Sequence, residues 1–328
     1  MIWFRSWLQS EGGLSPEELV ALARYDAGPL NDALGAFGQE LWREGAPYWR
    51  YAETVNACGA MDTLIRRSFG VAWDLAYSWL EEEPGNHHLP LSRPLLSAMV
   101  SLALLRGWPR VACLALIGWS GLCRPSEVIG ALRRDLVLPR DVLFASRSLF
   151  LVIRNPKTRR TAARKQTARV DSCDVIALAE ALYGDEPPSA PLWPASTSTF
   201  RARFTSLATA LGLPTDRRHA SPGFEAGEVI DLGSLRTGGA TDLWLATENA
   251  TLVQQRGRWA NAKNMQIYLQ ELAATTLLSR LSRASREAVA DLSGAAADIL
   301  DAATQLLQSG IETALWKAHW LEESEVAV

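Results

Sequence analysis

Cysteine and histidine are both scarce in this chain, four of each among 328 residues. Cys58, Cys113, Cys123 and Cys173 show no paired spacing, which argues against a disulfide framework and against a zinc site built on cysteine pairs. The expectation is buried, reduced thiols in an intracellular protein. His87 and His88 are neighbours, yet no cysteine or acidic cluster stands at ligand spacing beside them, so no metal is expected there. Long apolar runs are missing as well. None approaches the roughly 20 residues that a membrane-spanning helix needs, and MIWFRSWLQS at the start is too short and too mixed for a secretory signal.

Net charge is also small, −3, but its distribution is uneven. Residues 1–91 carry 6 basic and 13 acidic side chains, residues 92–275 carry 23 and 15, and residues 276–328 carry 4 and 8. A basic middle between acidic ends is the asymmetry of a chain in which one domain meets phosphates. With 48% hydrophobic residues, both halves can bury real cores.

Helical periodicity dominates residues 1–85. Leu19, Leu22 and Ala23 recur at i, i+3 and i+4, and Leu30, Leu34, Phe37, Leu41 and Trp42 form a second apolar set. Further helices are expected over 49–65 and 72–80. Six tryptophans fall here (Trp3, Trp7, Trp42, Trp49, Trp73, Trp79), and their helical positions predict core packing rather than base stacking. Acidic, Pro, Gly and Asn residues then gather in EEEPGNHHLPLSRP, the best linker in the chain. The expected division is a helical domain over 1–85, a linker over 86–94, a second domain over 95–275 and a C-terminal helical extension over 276–328. That extension either completes the second domain's core or docks on a neighbouring protomer.

Two helices, 95–105 and 111–119, lead into GLCRPSEVIGAL, where Pro125 suits a first helical turn and Glu127 suits the positive end of the helix dipole. Over 142–170 the pattern turns to β-formers on either side of RNPKTRRTAARK, which predicts a hairpin or three-stranded ribbon with a basic turn. From Arg154 to Arg169 there are seven positive residues and no acid, and phosphate contact explains that better than a solvated loop. Helices follow over 175–183 and 198–211, then the loop RRHASPGFEAGE. The stretch GSLRTGGATDLWLATENATLVQQRGRWANAKNMQIYLQE comes next. It sets Arg236 near a helix start, breaks near Asn249, turns at Gly257, and restarts a helix near Asn261 with Tyr268 expected inside it.

The order Arg124, Lys157, Arg236, Trp259, Tyr268, with Tyr268 nine positions after Trp259, resembles the tyrosine recombinase (phage integrase) family. The resemblance covers about residues 92–275 and implies a mainly α fold: a helical, core-binding-like N-terminal domain, then a mixed α/β catalytic domain with a small antiparallel sheet. It implies site-specific DNA breakage and rejoining through a 3′-phosphotyrosine on Tyr268, with neither ATP nor metal. Arg124 and Arg236 match the family's arginines, Glu127 the partner acid of the first, and Trp259 a ring donor to the phosphate. Lys157, with Lys165 in reserve, matches the hairpin lysine that protonates the leaving 5′ oxygen. Arg154, Arg159, Arg160, Arg164 and Lys165 would hold double-stranded DNA, in a homo-oligomer on paired sites.

Two positions depart from the family pattern. Gly233 stands where a histidine is usual, three residues before Arg236, and Arg258 stands where a glycine is usual, just before the ring residue. Ser234 is a poor base, and His219 in the preceding loop is a candidate to fill the place in space. The departures keep two rivals open: a DNA-binding protein of the same fold without catalysis, and an unrelated helical interaction protein.

Overall fold

The computed structural model describes residues 1–82, 88–142, 147–156, 163, 165–312 and 315. Lys157, Arg159, Arg160 and Arg164 of the expected basic turn lie outside the described residues, as do residues 86–87 of the expected linker. The fold is mainly helical with one three-stranded antiparallel sheet, and it divides into two compact units, Met1–Asn86 and His87–Val328.

The first unit is built from five helices: α1 (Ile2–Ser10), α2 (Pro16–Leu22), α3 (Gly28–Arg43), α4 (Tyr48–Met61) and α5 (Gly70–Glu82). Helix α2 starts where local chemistry demands. The Ser15 hydroxyl accepts from the Glu18 N–H, the Glu18 carboxylate accepts from the Ser15 N–H at 2.8 Å, and Pro16 occupies the first turn. Phe4, Leu30, Leu34, Phe37, Tyr51, Val55 and Trp79 form the core, and the buried Tyr51 hydroxyl donates to the Ala72 carbonyl at 3.0 Å. The tryptophan expectation needs correction. Trp79 is buried, Trp7 and Trp73 pack at the core's edge, but Trp3 and Trp49 are 58% and 54% exposed and Trp42 is also exposed. Leu22 likewise faces out while Leu19 and Ala23 face in.

In the second unit, α6 (Arg93–Leu105) and α7 (Pro109–Ser120) run through the centre of the core, and α8 (Pro125–Ile129) follows a short turn. The sheet has the order β1 (Leu136–Val137), β2 (Leu149–Ile153), β3 (Gln166–Val170); of the β region expected from 142 onward, residues 143–146 lie outside the described residues. Leu149 pairs with Val170 and Leu151 with Ala168, which turns Gln166, Ala168 and Val170 inward and Thr167 and Arg169 outward. Then come α9 (Cys173–Tyr183), α10 (Thr197–Ala210), α11 (Gly233–Thr247), α12 (Ala250–Gly257), α13 (Ala262–Gln266), α14 (Glu271–Thr276), α15 (Arg283–Gly294) and α16 (Ala296–Gln308). The last two pack against α6 and α9, and Val289, Ala303 and Leu306 join the same core. Of the thiols, Cys173 is exposed, against expectation; the other three are buried.

Helix α11 sits against backbone on two sides. A Cβ at Gly238 would collide with the Leu91 carbonyl, and one at Gly239 with the Trp119 carbonyl. Gly35 in α3, by contrast, has nothing near the place of a Cβ. Gly35→Ala should therefore stabilise the first unit by about 0.5–1 kcal/mol through helix propensity. Gly238→Ala should destabilise the second by about 1–3 kcal/mol or more through overpacking. Urea unfolding of the two variants reads both signs.

Candidate active site

Arg236 lies in the first turn of α11 and is only 2% exposed. Its Nη2 donates to the Gly257 carbonyl at 2.6 Å, while Nε and Nη1 are buried with no partner among the described residues. Two aromatic rings cover the guanidinium. Its Cζ is 4.5 Å from the Trp259 ring centroid and 5.4 Å from that of Tyr268, and the two rings are 5.0 Å apart, tilted by 48°. Burial lowers the guanidinium pKa to about 10, helped by repulsion from Arg124 and Arg258 and opposed by Glu127 and Tyr268. It stays charged at neutral pH. A buried donor without a partner costs about 1–3 kcal/mol, and more on a charged group, so this arginine is built to receive an acceptor.

Arg124 is the N-cap residue of α8 and reaches the same place. Glu127 Oε1 accepts from Arg124 Nη1 at 2.7 Å, and Oε2 accepts from the Arg124 backbone N–H at 2.8 Å. Oε2 also accepts from Arg258 Nη2 at 2.8 Å. Burial pushes the Glu127 carboxyl up, but Arg258 and then Arg124 outweigh it and hold its pKa below the ordinary range. The sequence marked Arg258 only as a departure from the family pattern and gave it no role at the site. It has φ of 58° just after α12, the left-handed conformation in which a glycine is comfortable. Its side chain turns inward and also donates to the carbonyls of Gly121 and Leu122 at 3.1 and 3.2 Å. One buried arginine thereby ties the end of α12 to the turn before α8. The advance signal was an arginine standing where the family usually has a glycine, just before Trp259.

The ring donor and the phenol are set by short caps and tight packing. Asn249 caps α12 through the Leu252 N–H and Asn261 caps α13 through the Asn264 N–H, each at 2.9 Å. The Trp259 ring lies so close over Gly257 that any Cβ there would collide with it. Beneath it, Leu122, Ala240, Val253, Trp259 and Met265 form a separate small apolar cluster. Tyr268 is half-buried and sits in the turn after α13, not inside the helix, because α13 ends at Gln266. Its own carbonyl accepts from the Thr241 hydroxyl at 2.9 Å, which anchors the turn to α11.

Arg124, Glu127, Arg236, Trp259 and Tyr268 thus gather around the start of α11. The basic hairpin contributes less that can be placed. Lys165 is exposed. Arg154, 54% exposed, is engaged by the buried Asp135 carboxylate, so it is not a free surface cation. His219 lies on an exposed loop with Nδ1 2.8 Å from Asp216. At the exit of β3, Asp171 accepts from Ser148 at 2.6 Å, from Arg169 at 2.6 Å and from Arg256 of α12 at 2.5 Å. Burial raises the Asp171 pKa, but these bonds prevail and bring it from the ordinary 3.8 to about 2. Among the described residues, no three His, Cys, Asp or Glu side chains are grouped to hold a metal ion, and no helix is long and apolar enough to cross a membrane.

No protein-family model matches the chain, and no curated protein matches it. Among solved structures it is similar to the XerH site-specific recombinase bound to its difH substrate in a pre-cleavage complex. The identity is 13% and the TM-score 0.40, with 68% of this chain and 67% of that one covered.

Removing Glu127 would strand two cations, one of them buried. Glu127→Ala should cost the second unit about 3–5 kcal/mol in urea unfolding. The Asp171 pKa is depressed in the folded state, so its contribution is present above pH 3.8 and disappears as pH falls towards about 2. Asp171→Asn should be less stable than wild type at pH 6, and the gap should close over that acid window. A gap that does not change with pH would count against the ion-pair network.

Proposed function

We propose that this chain is a tyrosine recombinase-like DNA strand transferase with Tyr268 as nucleophile. The observation that carries the reading is Arg236: a buried cation with two donor nitrogens unpartnered among the described residues, set beside Arg124 and beneath the Trp259 and Tyr268 rings. A non-bridging oxygen of a phosphodiester supplies the missing acceptors, and planar guanidinium groups suit it through paired donors. In the strand-cleavage step the Tyr268 oxygen bonds to phosphorus as the phenol gives up its proton, and the bond from phosphorus to the 5′ oxygen breaks. Arg124 and Arg236 bear the charge that builds on the non-bridging oxygens, and the Trp259 N–H adds a donor. Lys157 is assigned to protonate the departing 5′ oxygen. Bond energy is retained in the phosphotyrosine, so rejoining is the same step reversed.

The partner is double-stranded DNA, held mainly through its phosphates by the basic hairpin, with Arg159, Arg160, Arg164 and Lys165 as contacts and Arg154 once it exchanges Asp135 for phosphate. Paired sites call for a homo-oligomer. Gly233 motivates a second reading, a protein of the same fold that binds DNA without cutting it.

Nicked DNA carrying the sequence that flanks this gene traps a phosphotyrosine once the cut fragment diffuses away. The wild type should give a protein–DNA adduct on a denaturing gel, and Tyr268→Phe should give none. Arg236→Lys should slow adduct formation by on the order of 10²-fold or more, since the paired planar donors are lost. Salt-sensitive binding without an adduct would decide for the inactive binder, and absence of both would reject the DNA reading.

A further inference from the structure

Gly233 opens α11, three residues before Arg236, and what lies against it comes from a distant part of the chain. Residues 88–91 run alongside, with the Leu89 N–H donating to the Val229 carbonyl at 3.0 Å and the Leu91 N–H to the Ser234 carbonyl at 3.2 Å. This brings the His88 ring onto Gly233. A Cβ at position 233 would stand 2.5 Å from His88 Cδ2 and 2.8 Å from Nε2. The Cδ2–Nε2 edge of the imidazole therefore occupies the volume into which a side chain at 233 would project. Glycine is required there by the ring, since Gly233 is not among the glycines with positive φ.

The imidazole is held as well as packed. Asp231 Oδ1 lies 2.9 Å from His88 Nδ1 and accepts from the Gly233 N–H at 2.7 Å. Arg217 Nη2 holds Asp231 Oδ2 at 2.6 Å and itself stands 3.0 Å from Nδ1. In the tautomer with its proton on Nδ1, the ring donates to Asp231 and Arg217 serves the carboxylate. Burial raises the Asp231 pKa, but the bonds from His88, Arg217 and the Gly233 N–H outweigh it and keep the group a carboxylate well below the usual range. A carboxylate on one ring nitrogen fixes the tautomer and the orientation of the ring, and leaves the other nitrogen free to meet a proton. That other nitrogen is Nε2, and the side chain is 39% exposed.

Residues three apart on a helix are neighbours, with Cβ atoms about 5–6 Å apart. Nε2 therefore stands at the end of α11 that carries Arg236, against the position three residues before it. We propose that His88 is a catalytic residue of this site, its Nε2 taking the proton that the Tyr268 phenol loses as its oxygen bonds to phosphorus. The inference rests on the strand-transferase reading above. The phenol O–H pair forms the bond to phosphorus, the proton passes to Nε2 with Asp231 opposing the new charge, and the leaving 5′ oxygen takes its own proton from Lys157. His219, which pairs with Asp216 on an exposed loop, has no such placement.

The test relocates the ring. Adduct formation on the nicked DNA is timed for wild type, His88→Gln, His88→Gly with and without added imidazole, and the double variant His88→Gly with Gly233→His. Loss of a general base should slow His88→Gln and His88→Gly by on the order of 10²-fold or more, with DNA affinity and unfolding midpoint near wild type. Imidazole should restore rate to His88→Gly, and the double variant should recover it from within the chain. Wild-type rates in both single variants overturn the assignment, as does a loss that neither imidazole nor the relocated histidine repairs. If the wild type itself gives no Tyr268-dependent adduct, the strand-transferase reading falls and the role of His88 falls with it. An adduct indifferent to His88 removes only this inference.

Discussion

A guanidinium held almost wholly out of water is the feature around which the second unit is arranged. Arg236 keeps its charge although burial and two nearby arginines work against it, and only one of its bonds, to the Gly257 carbonyl, is made within the described residues. The surroundings reduce that cost without removing it. Two aromatic faces lie over the cation, and the Glu127 carboxylate, itself shared between Arg124 and Arg258, contributes an opposing charge. What stays unsatisfied is directional: two donor nitrogens, Nε and Nη1, with no acceptor among the described residues. A structure pays such a cost where an anion is to be received, and that is the physical basis for reading the site as one for phosphate.

Close approach makes the arrangement possible. Helix α11 carries Gly238, Gly239 and Ala240 in succession, and the two glycines let the carbonyls of Leu91 and Trp119 press against the helix. Gly257 lets the Trp259 ring settle over the end of α12, and Gly233 admits His88. Each missing side chain is filled by a neighbour that belongs to the site or to its walls. The ion pairs around the site obey the same economy of space. Glu127 serves three donors from two segments, and Asp171 joins β3 to α12 through Arg256. The strand that leaves the basic hairpin is thereby tied to the helix that presents Trp259.

The two departures from the family pattern come to have physical occupants. Arg258 adopts the left-handed backbone that a glycine would favour, and its side chain binds Glu127 and two carbonyls of the turn before α8. At Gly233 the space is taken by an imidazole anchored on Asp231.

What the sequence determined by itself is local. The break near Asn249, the helix restart near Asn261, Pro125 with Glu127 at the start of α8, and the β-formers on either side of the basic turn all act within a few residues, so they could be read from order and spacing. The helical class and the small sheet were visible for that reason, while the set of Arg124, Arg236, Trp259 and Tyr268 came from the resemblance to the tyrosine recombinase family. Tertiary structure alone decided what lies across a fold. Periodicity placed six tryptophans on helix faces but did not say which faces are covered, and Trp3 and Trp49 stand in solvent. The reach of Arg258 to Glu127, 131 residues away, and the seat of His88 on Gly233 leave no periodic trace. Such contacts depend on a backbone bend and on the absence of a side chain, and the identity of the partner is set only when distant segments are packed together.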